Sequence, residues 1–541
     1  MNRDADVLIV GAGPVGLALA IELGLRGRRA IVVERNARGG LAPRAKTTNV
    51  RTRTLFRRWG IADKLAEESP LGVEYPNDVR YVTRLGGLPL AHLKNAFNAA
   101  PVRADEYPEH AQWVPQYTLE KVMLEFARTL ASVEIHFATT FVSAVQTDDE
   151  VRSELKDADG KAIKVTSRYL VGADGARSAI RELIGAKMEG RWGLMHAYNV
   201  IFRAPGLAEA HPHGKAVMYW QMNTDGMSLV GPMDSGDTWF FGPAGVKDGA
   251  SLTKQEAAAL IAKTTGIDLP YEVLSSDQWT ASELLADHYR LGRIFLAGDA
   301  CHLHPPFGGY GMNMGIGDGV DLGWKLTAML EGWGGPNLLD SYQAERRQVH
   351  NVVIQEAVAN LPTVGAPMDF ALLEQQSPEG QALRDRVGAG IVATKTREFH
   401  TLGTVLGLGY EDSPVVALDE TYEAGVDQRP ASHGQDYHPN ARPGHLAPHA
   451  WLANDRSLYD AFGEGFTLIA AEGVGRAITD RAKRHARELG VPLKVVRPAG
   501  VPVAELYQAE LTLVRPDQYV AWRGKDWSKA VLRKATGQGA A

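Results

Sequence analysis

Cysteine is nearly absent: among 541 residues, Cys301 stands alone. One thiol excludes an intrachain disulfide and a cysteine-based zinc cluster, and it fits a reducing compartment, the cytoplasm. Long apolar runs are missing too, so no membrane-spanning segment is expected. Asp4 and Asp6 precede the first apolar stretch without a charged-then-apolar leader, which predicts no secretory signal. An excess of one charge is also lacking: 58 Lys and Arg against 64 Asp and Glu give a net charge of −6. A chain without a basic surplus is a poor partner for nucleic acid. With 45% hydrophobic and 23% charged residues, the composition excludes disorder and fibrous repeats and predicts roughly three to four globular domains.

What is abundant is glycine, 57 residues, above the roughly 7% norm. The glycines cluster at three places. The first, Gly11-Ala-Gly13-Pro-Val-Gly16, follows a short apolar run from Asp6 and precedes Leu-Ala-Leu-Ala, which predicts strand, tight turn and helix. In such a turn the first glycine permits the bend, the second admits a pyrophosphate, and the third lets helix and strand pack closely. The phosphates then rest at the helix N-terminus. After a second strand, Ala30-Ile-Val-Val, Glu34 is placed to accept hydrogen bonds from a ribose. Gly388-Ala-Gly390 matches the same pattern, but no buried strand precedes it, and it is rejected as a nucleotide turn. The second cluster, Gly172-Ala-Asp174-Gly175, again leads from strand to helix. The third runs from Gly298-Asp299 through Pro305 and Phe307 to Gly308-Gly309-Tyr310-Gly311-Met312-Asn313, where backbone N–H groups could cradle an anion.

Between the clusters lie strand-like stretches: a hairpin over 80–92 around Gly86-Gly87, and short strands at 216–222, 228–233 and 238–242. These predict an antiparallel sheet inserted between nucleotide-binding segments. A helix is expected over 340–359 and a polar linker over 412–450. A last unit, 451–541, reads strand 466–470, helix 476–489, strand 493–496 and a hairpin over 510–523.

The three glycine motifs, in this order and spacing, resemble the flavin-dependent aromatic hydroxylases of the para-hydroxybenzoate hydroxylase type over about residues 5–360. The terminal unit resembles the thioredoxin-like extension of phenol and polyketide hydroxylases. The fold so implied is α/β: a Rossmann-like FAD-binding domain (1–75, 100–180 and 280–360), an inserted antiparallel-sheet substrate domain (76–99 and 181–279), a helical segment (361–411) and a C-terminal thioredoxin-like domain. That last domain has no Cys-x-x-Cys and is read as a structural or dimerisation module. The resemblance implies FAD, with the Gly11, Gly13 and Gly16 turn at its pyrophosphate, Glu34 on the adenosine ribose, Arg35 among the cofactor-binding residues, and Arg44 and Asp299 near the pyrophosphate and ribityl chain. It places Gln116 on the ribityl or isoalloxazine side, adds Asp174 and Gly298, and sets Pro305, Gly311, Met312 and Asn313 around the ring. It further implies reduction by NADH or NADPH, O2 as co-substrate, and hydroxylation of a phenol ortho or para to its hydroxyl through a flavin C4a-hydroperoxide. A polycyclic or antibiotic substrate on the same fold, or a non-hydroxylating FAD-binding protein, stays open.

For the aromatic substrate the sequence offers less. Lys46, two residues past Arg44, could draw off a phenol proton, or be a surface lysine or a phosphate contact. Trp113, Trp220, Met222 and Phe307 are pocket or plain core. His302 and His304 form a His-x-His pair with no carboxylate at ligand spacing, so no metal site is expected. Tyr342, Glu345, Arg346 and Arg347 read as a solvated helix face.

Overall fold

The computed structural model describes residues 3–37, 45–244, 246, 252–361, 368–410, 412–419 and 435–539. The strand Ala5–Val10 lies between the parallel strands Ala30–Val33 and Ala162–Gly172, with Val133–His136 and Ile294–Leu296 flanking them. Its residues are almost all buried, because helices cover both faces of a parallel sheet and leave no face for polar side chains. Chain order reverses on either side of Ala5–Val10, and the crevice beyond the C-terminal ends of such strands is where nucleotides bind. Gly11 and Ala173 sit at that crevice.

The second sheet has eight strands, antiparallel except where Met218–Asn223 runs parallel to Val79–Val82. Its long pair, Met188–Arg203 and Glu272–Ala286, extends back to the first domain. There Leu284 and Leu285 pair with Leu303 and His302, four to five residues beyond Gly298. The short stretch 298–303 therefore joins the nucleotide sheet to the second sheet here, as 287–289 does between Ala286 and Arg290. The helix Pro378–Phe399 packs along the strand Pro89–Leu93, with Gly388 against the Leu90 carbonyl, so the rejected glycine pair lies mid-helix.

The C-terminal domain places Leu493–Val496 parallel to Phe466–Ala470, which pairs antiparallel with Leu511–Val514 and, through it, Val520–Gly524. The expected linker departs from expectation. Its described parts, 412–419 and 435–450, are irregular but packed: Val415, Ala441 and Ala447 are buried, and residues 444–447 exchange backbone hydrogen bonds with Gln518 and Val520. Pro439, Pro443 and Pro448 give the stretch its loop-like composition, yet the carbonyls and N–H groups between them still find partners. Residues 420–434 lie outside the described residues.

Candidate active site

At the crevice, Gly11 has φ +108°, and a Cβ there would stand 2.2 Å from the Ala173 carbonyl oxygen. A Cβ on Gly16 would meet the Gly11 oxygen at 1.9 Å. Both glycines are thus dictated by close backbone approach. Gly13 has nothing within 4 Å of its missing Cβ and begins the helix Pro14–Leu25 with no side-chain cap. The first-turn N–H groups of that helix have no side-chain cap and the space beside Gly13 is open, which fits a pyrophosphate. Glu34 accepts from Ala12 N (3.1 Å) through Oε2 and from Asn36 N (3.0 Å) and Nδ2 (2.8 Å) through Oε1. Its carboxylate is held at the strand end, at the adenosine side of the crevice; Arg35 beside it is exposed, and Arg44 lies outside the described residues.

Three expected cofactor residues turn their side chains to the protein itself. Asp174 caps the short helix Ala179–Leu183, accepting from Ser178 Oγ (2.5 Å), Ala179 N (2.7 Å) and Ile180 N (3.2 Å), and burial raises its pKa. Gln116 accepts from Ala45 N and donates to Glu120. Asn313 donates to the Thr47 and Gly309 carbonyls and accepts from Asn49 N. These three fix the backbone around the crevice. The helix Gly311–Glu331 starts uncapped, with open space at Gly311 and Met312 half-buried beside it, so its N–H groups form a second anion-accepting end.

On the other side, Thr47–Thr48 pairs with Gln112–Trp113, and this two-stranded patch meets the strand Thr238–Pro243. The Lys46 ammonium lies 4.2 Å from the centroid of the Phe240 ring, and the Trp113 ring is 6.3 Å from the same ring. Among the described residues Lys46 makes no ion pair, and burial brings its pKa down to about 8. Trp220 stacks on Tyr81 at 6.2 Å, and Trp113, Trp220 and Met222 belong to one apolar cluster. Phe307 stands apart from that cluster, buried beneath the Lys395 ammonium at 5.7 Å, while Pro305 is buried two residues before it. Phe240 was not singled out from the sequence; its signal was the Trp-Phe-Phe run in a strand whose alternate residues had to face a core.

The expected solvated face of the Pro336–Ala359 helix is the largest correction. Tyr342, Glu345 and Arg346 are buried, and only Arg347 reaches the surface. Asp318, fully buried, receives four N–H donors: Gly298 N (2.9 Å) and His302 Nε2 (2.9 Å) on Oδ2, Arg346 Nε (2.7 Å) and His350 Nε2 (3.0 Å) on Oδ1. Burial opposes ionisation of Asp318, but its cationic and N–H neighbours outweigh it and hold the carboxyl well below its ordinary range. Burial pushes His350 down to about 3, so it donates to Asp318 as a neutral imidazole. A carboxylate companion to His302 therefore exists, sixteen residues on, where no ligand spacing would reveal it. The donor atoms of Cys301, His302 and Asp318 lie within 4.8 Å of one another. The four N–H donors occupy the carboxylate, and burial keeps the Cys301 thiol protonated, so the cluster is a hydrogen-bond knot with no lone pair set aside for a cation.

A Rossmann crevice with two uncapped helix ends, faced across a short strand pair by an aromatic cluster holding one unpaired ammonium, defines a nucleotide-dependent enzyme of aromatic chemistry. The comparisons with known proteins agree. The FAD binding domain family matches residues 4–357 and the aromatic-ring hydroxylase C-terminal family matches residues 440–538. Aklavinone 12-hydroxylase DnrF of Streptomyces peucetius is 34% identical over 86% of this chain and 91% of its own length. Phenol 2-monooxygenase of a Pseudomonas strain is 30% identical over 96% of this chain and 90% of its own. A solved ternary complex of aklavinone-11 hydroxylase with FAD and aklavinone superposes with a TM-score of 0.83 at 29% identity, covering 99% of each chain. The chain belongs to the flavin-dependent aromatic hydroxylases. No helix among the described residues is long and apolar enough to cross a membrane.

Proposed function

We propose that this chain is a single-component FAD monooxygenase that takes electrons from NADH or NADPH, activates O2, and hydroxylates a phenolic aromatic ortho or para to its hydroxyl. The observation that carries this reading is the unpaired Lys46 ammonium over Phe240, set beside Trp113 on the strand pair that Asn313 ties to the Gly309 loop. Bound FAD would relay electrons to O2, which is the source of the oxygen atom added to the ring and of the water that leaves. The chain's own residues would do the rest. The Pro14–Leu25 helix end and Gly13 hold the pyrophosphate, Glu34 the adenosine ribose, and Asp299 the ribityl chain; the main chain at Pro305 and Gly311–Asn313 borders the ring. Trp113, Trp220, Met222 and Phe307 exclude water around the substrate. Lys46 favours the phenolate over the phenol, which makes the ring a better nucleophile, and with a pKa near 8 it can also take the phenol proton in its neutral form.

The relatives act on phenol at one extreme and aklavinone at the other, so one panel of phenols graded in size tests the substrate. The expected result is a yellow protein whose NAD(P)H consumption is stimulated by a phenol and matched by a product one oxygen heavier by mass spectrometry. A protein that takes up no FAD, or one whose NAD(P)H turnover no phenol stimulates, overturns the reading.

A further inference from the structure

The C-terminal domain packs on the first domain at several points, Phe466 on Trp324 and Asp460 on Arg57 among them, and its contact nearest the nucleotide crevice is made by the turn Arg515–Tyr519, between its strands Leu511–Val514 and Val520–Gly524. Arg515 is fully buried and spends its whole guanidinium on three carboxylates. It donates to Glu345 at 2.6 and 2.8 Å, to Asp321 at 3.0 Å, and to Asp517 at 2.6 and 3.0 Å. Lys325 closes the group from the Gly311–Glu331 helix, 2.8 Å from Asp321 and 2.6 Å from Glu345. The Val50–Trp59 helix grips the same turn from the far side, with Arg51 on the Asp517 carbonyl and Arg58 on that of Pro516.

Next along the chain from Glu345 is Arg346, and it faces the crevice. Its Nε holds Asp318, its NH2 holds the Met314 carbonyl in the first turn of the Gly311–Glu331 helix, and its NH1 donates to Tyr410 Oη at 2.9 Å. The Tyr410 ring packs on Tyr519 at 4.3 Å and beneath the Arg515 guanidinium at 5.2 Å. A cavity of about 50 Å³ separates Asn313 from Asp517 and Tyr519. Direct packing of the turn on the crevice loop is thus interrupted there, and the connection runs through Arg346 and Asp318 to Gly298 N.

We infer that the Arg515–Tyr519 turn is a peg that positions the Gly298–Asp299 loop and the start of the Gly311–Glu331 helix for FAD, with Arg515, Arg346 and Asp318 as positioning residues. This rests on FAD binding at the crevice and assigns the C-terminal domain a part in holding the cofactor. Because coupling between sites is reciprocal, FAD must in turn stabilise the peg.

The test adds FAD to the apoprotein of the full chain and reads amide hydrogen exchange over 511–524 and affinity by quenching of flavin fluorescence. Exchange in the peg is expected to slow on FAD addition. Arg515→Met is expected to weaken FAD roughly 5- to 150-fold, the usual span of coupling between sites. Leu532→Ala, a core truncation in the same domain outside the charged Arg515–Tyr519 turn, should lower stability and leave FAD affinity within about twofold. Tyr410→Phe, which removes one hydroxyl and keeps the ring, serves if Arg515→Met does not fold, with a smaller loss in the same direction. Exchange over 511–524 that ignores FAD, or equal FAD affinity in the peg and core variants, overturns the inference. A wild type that binds no FAD overturns the cofactor assignment instead.

Discussion

Two buried charged regions of this molecule stand in opposite states. Around Asp318, Glu345 and Arg515, the principal cationic and anionic groups have opposite partners within about 3 Å, and the Asp318 carboxylate is filled by four donors. Around Lys46, among the described residues, the ammonium lies over an aromatic ring and makes no ion pair. A saturated group of charges resists change, since removing one member strands the others in a low dielectric. An unsaturated charge costs stability in the resting protein and is kept where a ligand will complete it. The first region is architecture, and the second is where we propose the chemistry lies.

The largest effect expected to sharpen that contrast is Asp318→Leu. It leaves Arg346 buried without its carboxylate and should cost about 3–5 kcal/mol, read as a fall in the urea midpoint of the apoprotein. A loss under 1 kcal/mol would show that the saturated cluster is not structural.

Lys46→Met should behave the other way. Removing an unpaired, partly buried cation leaves the urea midpoint equal or higher, while KM for the phenol rises about tenfold, as the loss of one charge-assisted contact predicts. The pH dependence has a definite sign. The folded pKa lies below that of the unfolded chain, so the unfolded state binds more protons between about pH 8 and 10.5, and stability rises across that window as the buried ammonium is neutralised. Phenolate binding runs oppositely and weakens above about pH 8. A pH profile of kcat/KM unchanged in Lys46→Met would remove the residue from the site. The smallest effect is that of Phe240→Leu, which keeps the apolar bulk and removes the ring face. It should cost about 0.5–1 kcal/mol of that substrate affinity and move the Lys46 limb of the profile without abolishing it; a variant with the wild-type profile would detach the ring from the lysine.

The same contrast explains what could be read from the chain before folding. Gly11, Gly13, Gly16 and Glu34 were legible because strand, turn, helix and acid are contiguous, and a backbone contact such as Gly11 on Ala173 forces the residue type. The nucleotide-binding segments were expected from the spacing of three such turns, and the C-terminal unit from its own strand and helix pattern. Glu345 and Arg346 were misread because their partners are remote: Arg515 lies 170 residues from Glu345, and a charged helical stretch without visible partners reads as surface. Asp174, Gln116 and Asn313 were singled out as cofactor residues, and their side chains bond the protein itself, a use that residue type alone does not separate from holding a ligand. Lys46 was noticed by its position in the chain, while Phe240, which defines its surroundings, arrives from 194 residues away in the other sheet.

The six-residue span from Gly298 to Leu303 bears on how this enzyme could be rebuilt. Gly298 is hydrogen-bonded to Asp318 beside the nucleotide sheet and Leu303 is already a rung of the second sheet. A graft of a foreign substrate domain that stops short of the Leu284–Leu303 rung would leave a sheet edge unpaired and the Gly298 turn without its anchor on one side. Working chimeras should therefore carry 298–303 together with the strand Glu272–Ala286 as one exchangeable block, and a change of substrate range would come with a retuned cofactor turn.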